Sequence, residues 1–402
     1  MTLEYNPLLR EHQLDPYPTY EALRADDPIH FSELFQGWVL SRHADVAAVL
    51  RDPCFSVDRS NAEVIRGTPL PPVRDELRNL AEALKRNMLF TDPPDHTRMR
   101  ALVAKAFTPH KVEEYRVRVQ QVVDGLFDAA AKAGRMDFMH DVADSLPVIV
   151  VAEVLGLPSD NRQAFKRWAE DVGAALDPLV SPDAFNQAQD SALEMYQYFR
   201  TIFAERRAHS RDDLISILLS AEARGDVRSE YELFANCALL LGAGHQTTTN
   251  FLGNAVLALA QHPDERRRLA EHPSIIGTAI EECLRYDSPV QMTARMAKEP
   301  YRINGKVIAK DDFVVLLIGA ANRDSAAFPS PDRLDLCRRE NRHLAFSFGA
   351  HACVGALLAR LQGDIVITTL LRRFPRFRAE HEAPDWRPMV MSRGLNSLWL
   401  TW

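Results

Sequence analysis

The run from His343 to Arg360, HLAFSFGAHACVGALLAR, puts Cys353 where a sulfur could hold iron. A short extended stretch meets Gly349, then His351 and Cys353, then a helical pattern with Val354, Leu357, Leu358 and Leu361 on one side. At a helix start, unpaired N–H groups and the positive dipole end stabilise a thiolate, and nearby glycines let backbone approach whatever the sulfur binds. A lone cysteine is more often a small buried hydrophobe, so the surrounding loop carries the argument. Glu282 and Arg285 in EECLRY stand three apart on one helical face, a pair worth about 0.2–0.5 kcal/mol if merely exposed. LLLGAGHQTTTN sets His245, Gln246, Thr247, Thr248 and Thr249 into an apolar helical run. Consecutive threonines suit a helix poorly unless hydroxyls are needed there, or bond back to carbonyls four residues earlier.

Phe346, Gly349, His351, Cys353 and Gly355 resemble the cysteine-ligand loop of the cytochrome P450 heme-thiolate monooxygenases. Further motifs follow the family's order from about Asp92 to Leu395, with the nearest resemblance to soluble bacterial members. The resemblance implies a mainly α fold with small β-sheets, a single heme-binding unit over residues 1–402, and heme b with Cys353 as the iron ligand. It makes Glu282 and Arg285 structural, completed by Arg333 from FPSPDRLD. It makes Ala243 and Thr247, on one face with Leu240, an oxygen-binding groove, with Gln246 where Asp or Glu is usual; a neutral amide cannot titrate as a carboxylate does. His96 and Arg100 in TDPPDHTRMR, Arg295 in MTARMA, and His351 resemble propionate-contacting positions. AANRDSAAFPSPDRLD marks the fold without chemistry of its own, and Ser347 stands where many relatives have glycine.

The activity so implied is insertion of one oxygen atom from O2 into an apolar secondary metabolite, by hydroxylation or epoxidation. Since no GxGxxG fingerprint follows a strand, electrons must come from a separate ferredoxin and its NAD(P)H-dependent ferredoxin reductase, with Arg338, Arg339, Arg342, Arg360, Arg372 and Arg373 as docking contacts. Pocket walls by family position are the loop Ser60 to Leu89 including Met88, the helices from about Phe165 to Arg206, and Leu239, Ala243, Met292, Thr293 and Leu395. A peroxide-using peroxygenase and a non-catalytic heme sensor stay open as alternatives.

The elements that must position these residues are mostly helical. Apolar residues return every three to four positions from Asp95 to Ala131, Ala143 to Val154, Asn161 to Ala208 and Ser229 to Gln261. Strand-like runs are Gly37–Ser41, Pro300–Ile308, Phe313–Ile318 and Asn396–Thr401, and Arg66 to Pro72 reads as a proline-rich loop. With 402 residues, 46% of them apolar and 26% charged, the chain is globular, and no linker or repeat divides it. A net charge of -7 gives no attraction to nucleic acid or anionic lipid. The first residues lack a secretion-signal core, the apolar stretch Cys237 to Gly244 is far shorter than a membrane span, and the 5 cysteines form no CxxC pair. A cytoplasmic protein that crosses no membrane is expected.

Overall fold

The spacing of apolar residues produces a mainly helical chain with four small sheets among the described residues of a computed structural model, 5–59, 71–158, 161–175 and 180–402. Of the expected loops, residues 66–70 of Arg66 to Pro72 and 60–70 of Ser60 to Leu89 lie outside the described residues. The chain divides into two compact units. One comprises Met1–Ser56, Tyr115–Leu146 and Thr247–Trp402, the other Val57–Glu114 and Pro147–Gln246.

The first unit is built on a five-stranded sheet in the order Ile29–Ser32, Gly37–Leu40, Phe313–Leu317, Met292–Ala297, Phe55–Ser56. Only the pair Gly37–Leu40 with Phe313–Leu317 is parallel. The strand-like run Pro300–Ile308 is a hairpin, Tyr301–Ile303 with Lys306–Ile308, because Asn304 and Gly305 both take positive φ (45° and 80°), as a two-residue turn requires. Leu40, Val49, Leu50, Phe55, Val314, Leu316 and Ile318 bury their side chains in one apolar cluster. Leu344, at the start of the Cys353 loop, joins this cluster and anchors the loop by burial.

The second unit holds the helices Asp95–Val103, Arg162–Ala174, Pro182–Ala208 and Leu214–Ala223. Ser181 caps the third through Ala184 N–H, with Pro182 at its first position, where a missing N–H costs nothing. Fully buried Arg206 pairs with Asp213 at 2.7 Å and donates to the Gly156 carbonyl at 2.6 Å. Asp213 also caps the helix that follows by accepting from Ser216 N–H at 2.7 Å. The expected helix Asp95 to Ala131 is instead four pieces, the 3-10 turn Ala104–Phe107 and Pro109 interrupting it, since proline lacks the N–H a helix interior needs.

The long helix Glu230–Gln261 is continuous, and the division between units falls within it, after Gln246. In the first unit, helix Ala356–Arg373 passes close to it at Gly363, where a Cβ would lie 2.7 Å from the Phe251 ring and 3.8 Å from Ile280. Gly to Ala in an exposed helix gains about 1 kcal/mol. Here the gain is outweighed by overpacking of about 1–3 kcal/mol. Gly363→Ala therefore lowers the thermal midpoint in a melting experiment, whereas Gly277→Ala, where a Cβ meets nothing within 4 Å, does not.

Candidate functional site

Cys353 is reached through a loop with little regular structure of its own. Ser347 N–H donates to Leu344 O at 2.8 Å, and Ser347 takes φ 60°, the left-handed region that favours glycine. Gly349 follows at φ 76° and opens the 3-10 turn Gly349–His351; a Cβ there would sit 2.6 Å from the Leu50 carbonyl oxygen. Cys353 N–H then donates to Phe346 O at 2.8 Å, closing the loop. Helix Ala356–Arg373 begins only after its N-cap Gly355, so Cys353 precedes the helix rather than lying in its first turn.

The other cysteines differ in kind. Burial pushes the Cys237 thiol well up and the Cys283 thiol up to about 12. Cys54 donates to Glu299 at 2.9 Å, which with Asp52 raises its thiol to about 12. Cys337 and Cys353 are exposed, and of these only Cys353 sits in the glycine-bearing loop.

Behind the loop, Glu282 and Arg285 on helix Ile276–Tyr286 are both fully buried. Two parallel bonds of 2.8 Å join them. The side chain that completes the cluster is Arg338, not Arg333: Arg338 Nε lies 3.0 Å from Glu282 Oε2, while exposed Arg333 offers only its carbonyl to Arg285 at 3.3 Å. The turn from Pro329 to Asp335 faces its carbonyls inward, and Arg338 also donates to Pro329 O at 2.8 Å. Asp335 N–H and Asn341 Nδ2 donate to the same carboxylate at 2.9 and 3.1 Å.

Two further residues emerge that the local motifs do not mark. Asn322, in the ANRD segment, accepts from Arg285 at its carbonyl (2.9 Å) and from Leu344 N–H at Oδ1 (2.7 Å), tying the Glu282 cluster to the loop. Glu281, beside Glu282, accepts from Arg360 Nε and Nη2 at 2.6 and 2.7 Å and lies 3.1 Å from His343 Nε2. Burial alone would raise this carboxyl, but hydrogen bonds and charge from Arg360 and His343 outweigh it and hold Glu281 down at about 2. The signal was the doublet Glu281–Glu282 itself, since adjacent helical carboxylates point about 100° apart and serve different partners.

Along the otherwise buried long helix, Leu239, Ala243, Gln246 and Thr247 form an accessible stripe, while Leu240, expected on that face, is buried. His245 is buried as well, and Thr249 donates to Ala143 O at 2.9 Å rather than to its own helix. His96 and Arg100 lie on helix Asp95–Val103 in the second unit. Burial lowers the His96 pKa, and the Arg100 charge adds to that. In the first unit, Arg295 is buried on strand Met292–Ala297 and donates to Ala294 O at 2.8 Å, and His351 ends the loop's 3-10 turn. A thiol in a backbone-fixed loop, with the Arg295 cation and the His351 ring as polar donors in the same unit, is a donor set suited to a thiolate-ligated iron in an anionic porphyrin. Of the expected pocket residues, Met292 and Leu395 are buried in the first unit, Leu395 facing Gly253, and Thr293 is half-buried. Met88 is buried in the second unit, its N–H donating to Asn236 Oδ1 at 3.1 Å.

A family model described as Cytochrome P450 matches residues 180–278 and 274–390. The chain is 39% identical over 409 residues to the cytochrome P450 monooxygenase PikC of Streptomyces venezuelae, covering 100% of this chain and 94% of that one. It is 37% identical over 407 residues to the polyketide biosynthesis cytochrome P450 PksS of Bacillus subtilis (strain 168), covering 98% of each. A solved structure of P450BioI in complex with hexadec-9Z-enoic acid ligated acyl carrier protein superposes with a TM-score of 0.89 at 38% identity, covering 98% of this chain and 99% of that one.

Two outcomes follow from the loop and its support. Glu282→Ala strands the buried Arg285 and Arg338 charges and lowers the unfolding free energy by about 3–5 kcal/mol, read from denaturant titration. Ser347→Gly relieves a left-handed residue and raises stability by about 0.5–1 kcal/mol, whereas Gly349→Ala drives a Cβ into the Leu50 carbonyl and lowers it, both read as shifts in the denaturation midpoint.

Proposed function

The chain belongs to the cytochrome P450 family of heme-thiolate monooxygenases, and from that premise we propose that Cys353 is the thiolate ligand of heme b and that Thr247 and Gln246 handle protons during oxygen reduction. The observation that carries the first assignment is the pairing of an exposed thiol with the 2.8 Å bond from its own amide to Phe346 O, in a loop turned by Ser347 and Gly349. The heme, when bound, supplies the reductive activation of O2, one oxygen atom going to the substrate and the other leaving as water. Arg295 and His351, together with His96 and Arg100 by their family positions, neutralise the propionates, whose burial as bare anions would be costly. Phe346 and Gly349 shape the ligand loop, and Glu282, Arg285 and Arg338 hold it from behind. Residues 1–402 act as one heme-thiolate unit.

Thr247 Oγ1 would donate a hydrogen bond where oxygen is reduced and pass on a proton that ordered water resupplies to the hydroxyl. Ala243, one turn earlier on the same accessible stripe, leaves room beside it. Gln246 orders water through its neutral amide and carries no proton itself. By their family positions Leu239, Ala243, Met88, Met292, Thr293 and Leu395 are the proposed substrate contacts, and their mostly apolar character favours a hydrophobic secondary metabolite, the methionines adapting to irregular shape. Hydroxylation or epoxidation is the reaction. Members of this family take electrons from a redox partner, and an NAD(P)H-dependent ferredoxin reductase with an acidic ferredoxin is the partner proposed. Arg339, Arg342 and Arg372 are its exposed contacts, whereas Arg360 and Arg373 are partly buried in ion pairs with Glu281 and Asp128. Arg338 is withdrawn into the Glu282 cluster and leaves the docking set. Among the described residues no helix is long and apolar enough to cross a membrane, and the free thiols suit a reducing cytoplasm.

Cys353→Ser abolishes the thiolate-type absorption of the reduced, carbon monoxide-bound protein; its survival would refute the ligand assignment. Thr247→Ala keeps substrate affinity within about twofold while moving reducing equivalents to hydrogen peroxide, because the proton arrives too slowly. Product formed per nicotinamide oxidised is the measure. Gln246→Glu preserves or raises that ratio and Gln246→Ala lowers it. Unchanged coupling in both Thr247→Ala and Gln246→Ala, with full turnover on added peroxide, would favour a peroxygenase.

A further inference from the structure

Glu281 and Arg360 meet at one end of the loop that carries Cys353, and nothing in the function above uses them. Arg360 presents a two-bond fork to Glu281 at 2.6 and 2.7 Å. Its guanidinium carbon lies 4.5 Å from the centroid of the Phe346 ring, a cation over an aromatic face. Phe346 is the residue whose carbonyl accepts the Cys353 amide at 2.8 Å. His343, with a side chain only 3% exposed, reaches the same carboxylate at 3.1 Å and lies 6.0 Å from the Phe346 ring, centroid to centroid. One carboxylate therefore fixes two side chains that flank the ring whose backbone holds the Cys353 amide.

We propose that Glu281 is a positioning residue for the sulfur ligand: it locks Arg360 and His343 against Phe346, and its negative charge balances the Arg360 cation beside the loop, which sets the reduction potential of the iron. The inference rests on Cys353 being the ligand. An ordinary surface pair of this kind would contribute about 0–1 kcal/mol and leave the metal untouched. This one differs in geometry, being bidentate, shared by a third donor, and stacked on the ligand loop. It differs in electrostatics as well. Hydrogen bonds to Glu281 chiefly raise the Arg360 pKa, and the charge of Cys353 contributes a smaller part of the same rise.

Removing charge from either partner leaves the other uncompensated near the iron. An uncompensated cation favours the ferrous state, which carries less positive charge, and an uncompensated anion favours the ferric state. The two single neutralisations must then move the potential in opposite directions, and the double neutralisation must cancel them. A merely structural pair would not behave so, since loss of either member disturbs the same packing.

The test uses heme-loaded full-length protein and spectroelectrochemical titration of the iron, with the reduced, carbon monoxide-bound spectrum recorded first. Glu281→Gln shifts the ferrous-to-ferric balance about tenfold toward ferrous, equivalent to about +59 mV for one electron. Arg360→Gln shifts it in the opposite sense by a similar factor. The double variant returns to within about threefold of wild type. Glu281→Asp, which keeps the charge on a shorter arm, stays closer to the wild-type potential than Glu281→Gln does. Unchanged potentials in both single variants, or shifts of the same sign, overturn the inference while the thiolate-type spectrum persists. If wild-type protein lacks that spectrum, the Cys353 assignment fails instead, and the inference with it.

Discussion

A carboxylate shut away from water is tolerable only when donors surround it. Glu282 is fully buried and gathers bonds from Arg285 Nε and Nη2, Arg338 Nε, Asp335 N–H and Asn341 Nδ2. Arg285 lies on the same helix as Glu282, and the other donors come from the irregular segment before the ligand loop, which would otherwise have little to order it. The Cys353 loop has one 3-10 turn and two left-handed residues, conformations that cost energy locally and persist only where the surroundings impose them. That imposition runs from Glu282 through Arg285 to Asn322, and from Asn322 to the Leu344 amide at the loop's start.

Glu281 extends the same logic by one residue. Successive helical side chains diverge, so the neighbouring carboxylate faces Arg360 and His343 rather than the buried cluster. One helix thereby supports the loop at two places: its entry, through Asn322, and the Phe346 ring, through Arg360. The apolar burial of Leu344 and the close approach allowed by Gly363 complete the frame within the same unit. The stripe Leu239, Ala243, Gln246 and Thr247 is a separate feature of the long helix, accessible where neighbours such as Leu240 and Leu241 are buried.

Much of this was legible in the sequence, and the failures have physical causes. Cys353 among glycines and the three-residue spacing of Glu282 and Arg285 are local signals, and local signals survive folding. The third cation is not local. Arg333 and Arg338 lie in the same irregular segment, and which one turns inward depends on the backbone between Pro329 and Asp335, where Ser330 takes φ 48°. Side-chain periodicity says nothing about such a turn. Asn322 was invisible for a related reason, since its work is done by a carbonyl and an amide oxygen toward residues distant in sequence. The helical pattern from Asp95 to Ala131 does not show its interruptions, because apolar spacing continues across short breaks that proline and a tighter turn introduce. Ser347 departs from the family pattern, and its φ of 60° gives the reason glycine suits the position.

The claim on which the rest depends is that paired carboxylates on helix Ile276–Tyr286 hold the Cys353 loop. Residue-resolved amide hydrogen exchange measures it directly. In heme-loaded wild-type protein the Cys353 amide, bonded to Phe346 O, exchanges slowly. In Glu281→Gln and in Arg338→Gln it exchanges at least about tenfold faster, a loss of about 1.4 kcal/mol of local protection, while amides in the sheet around Val314 keep theirs. Equal protection of the Cys353 amide in wild type and both variants would contradict the account.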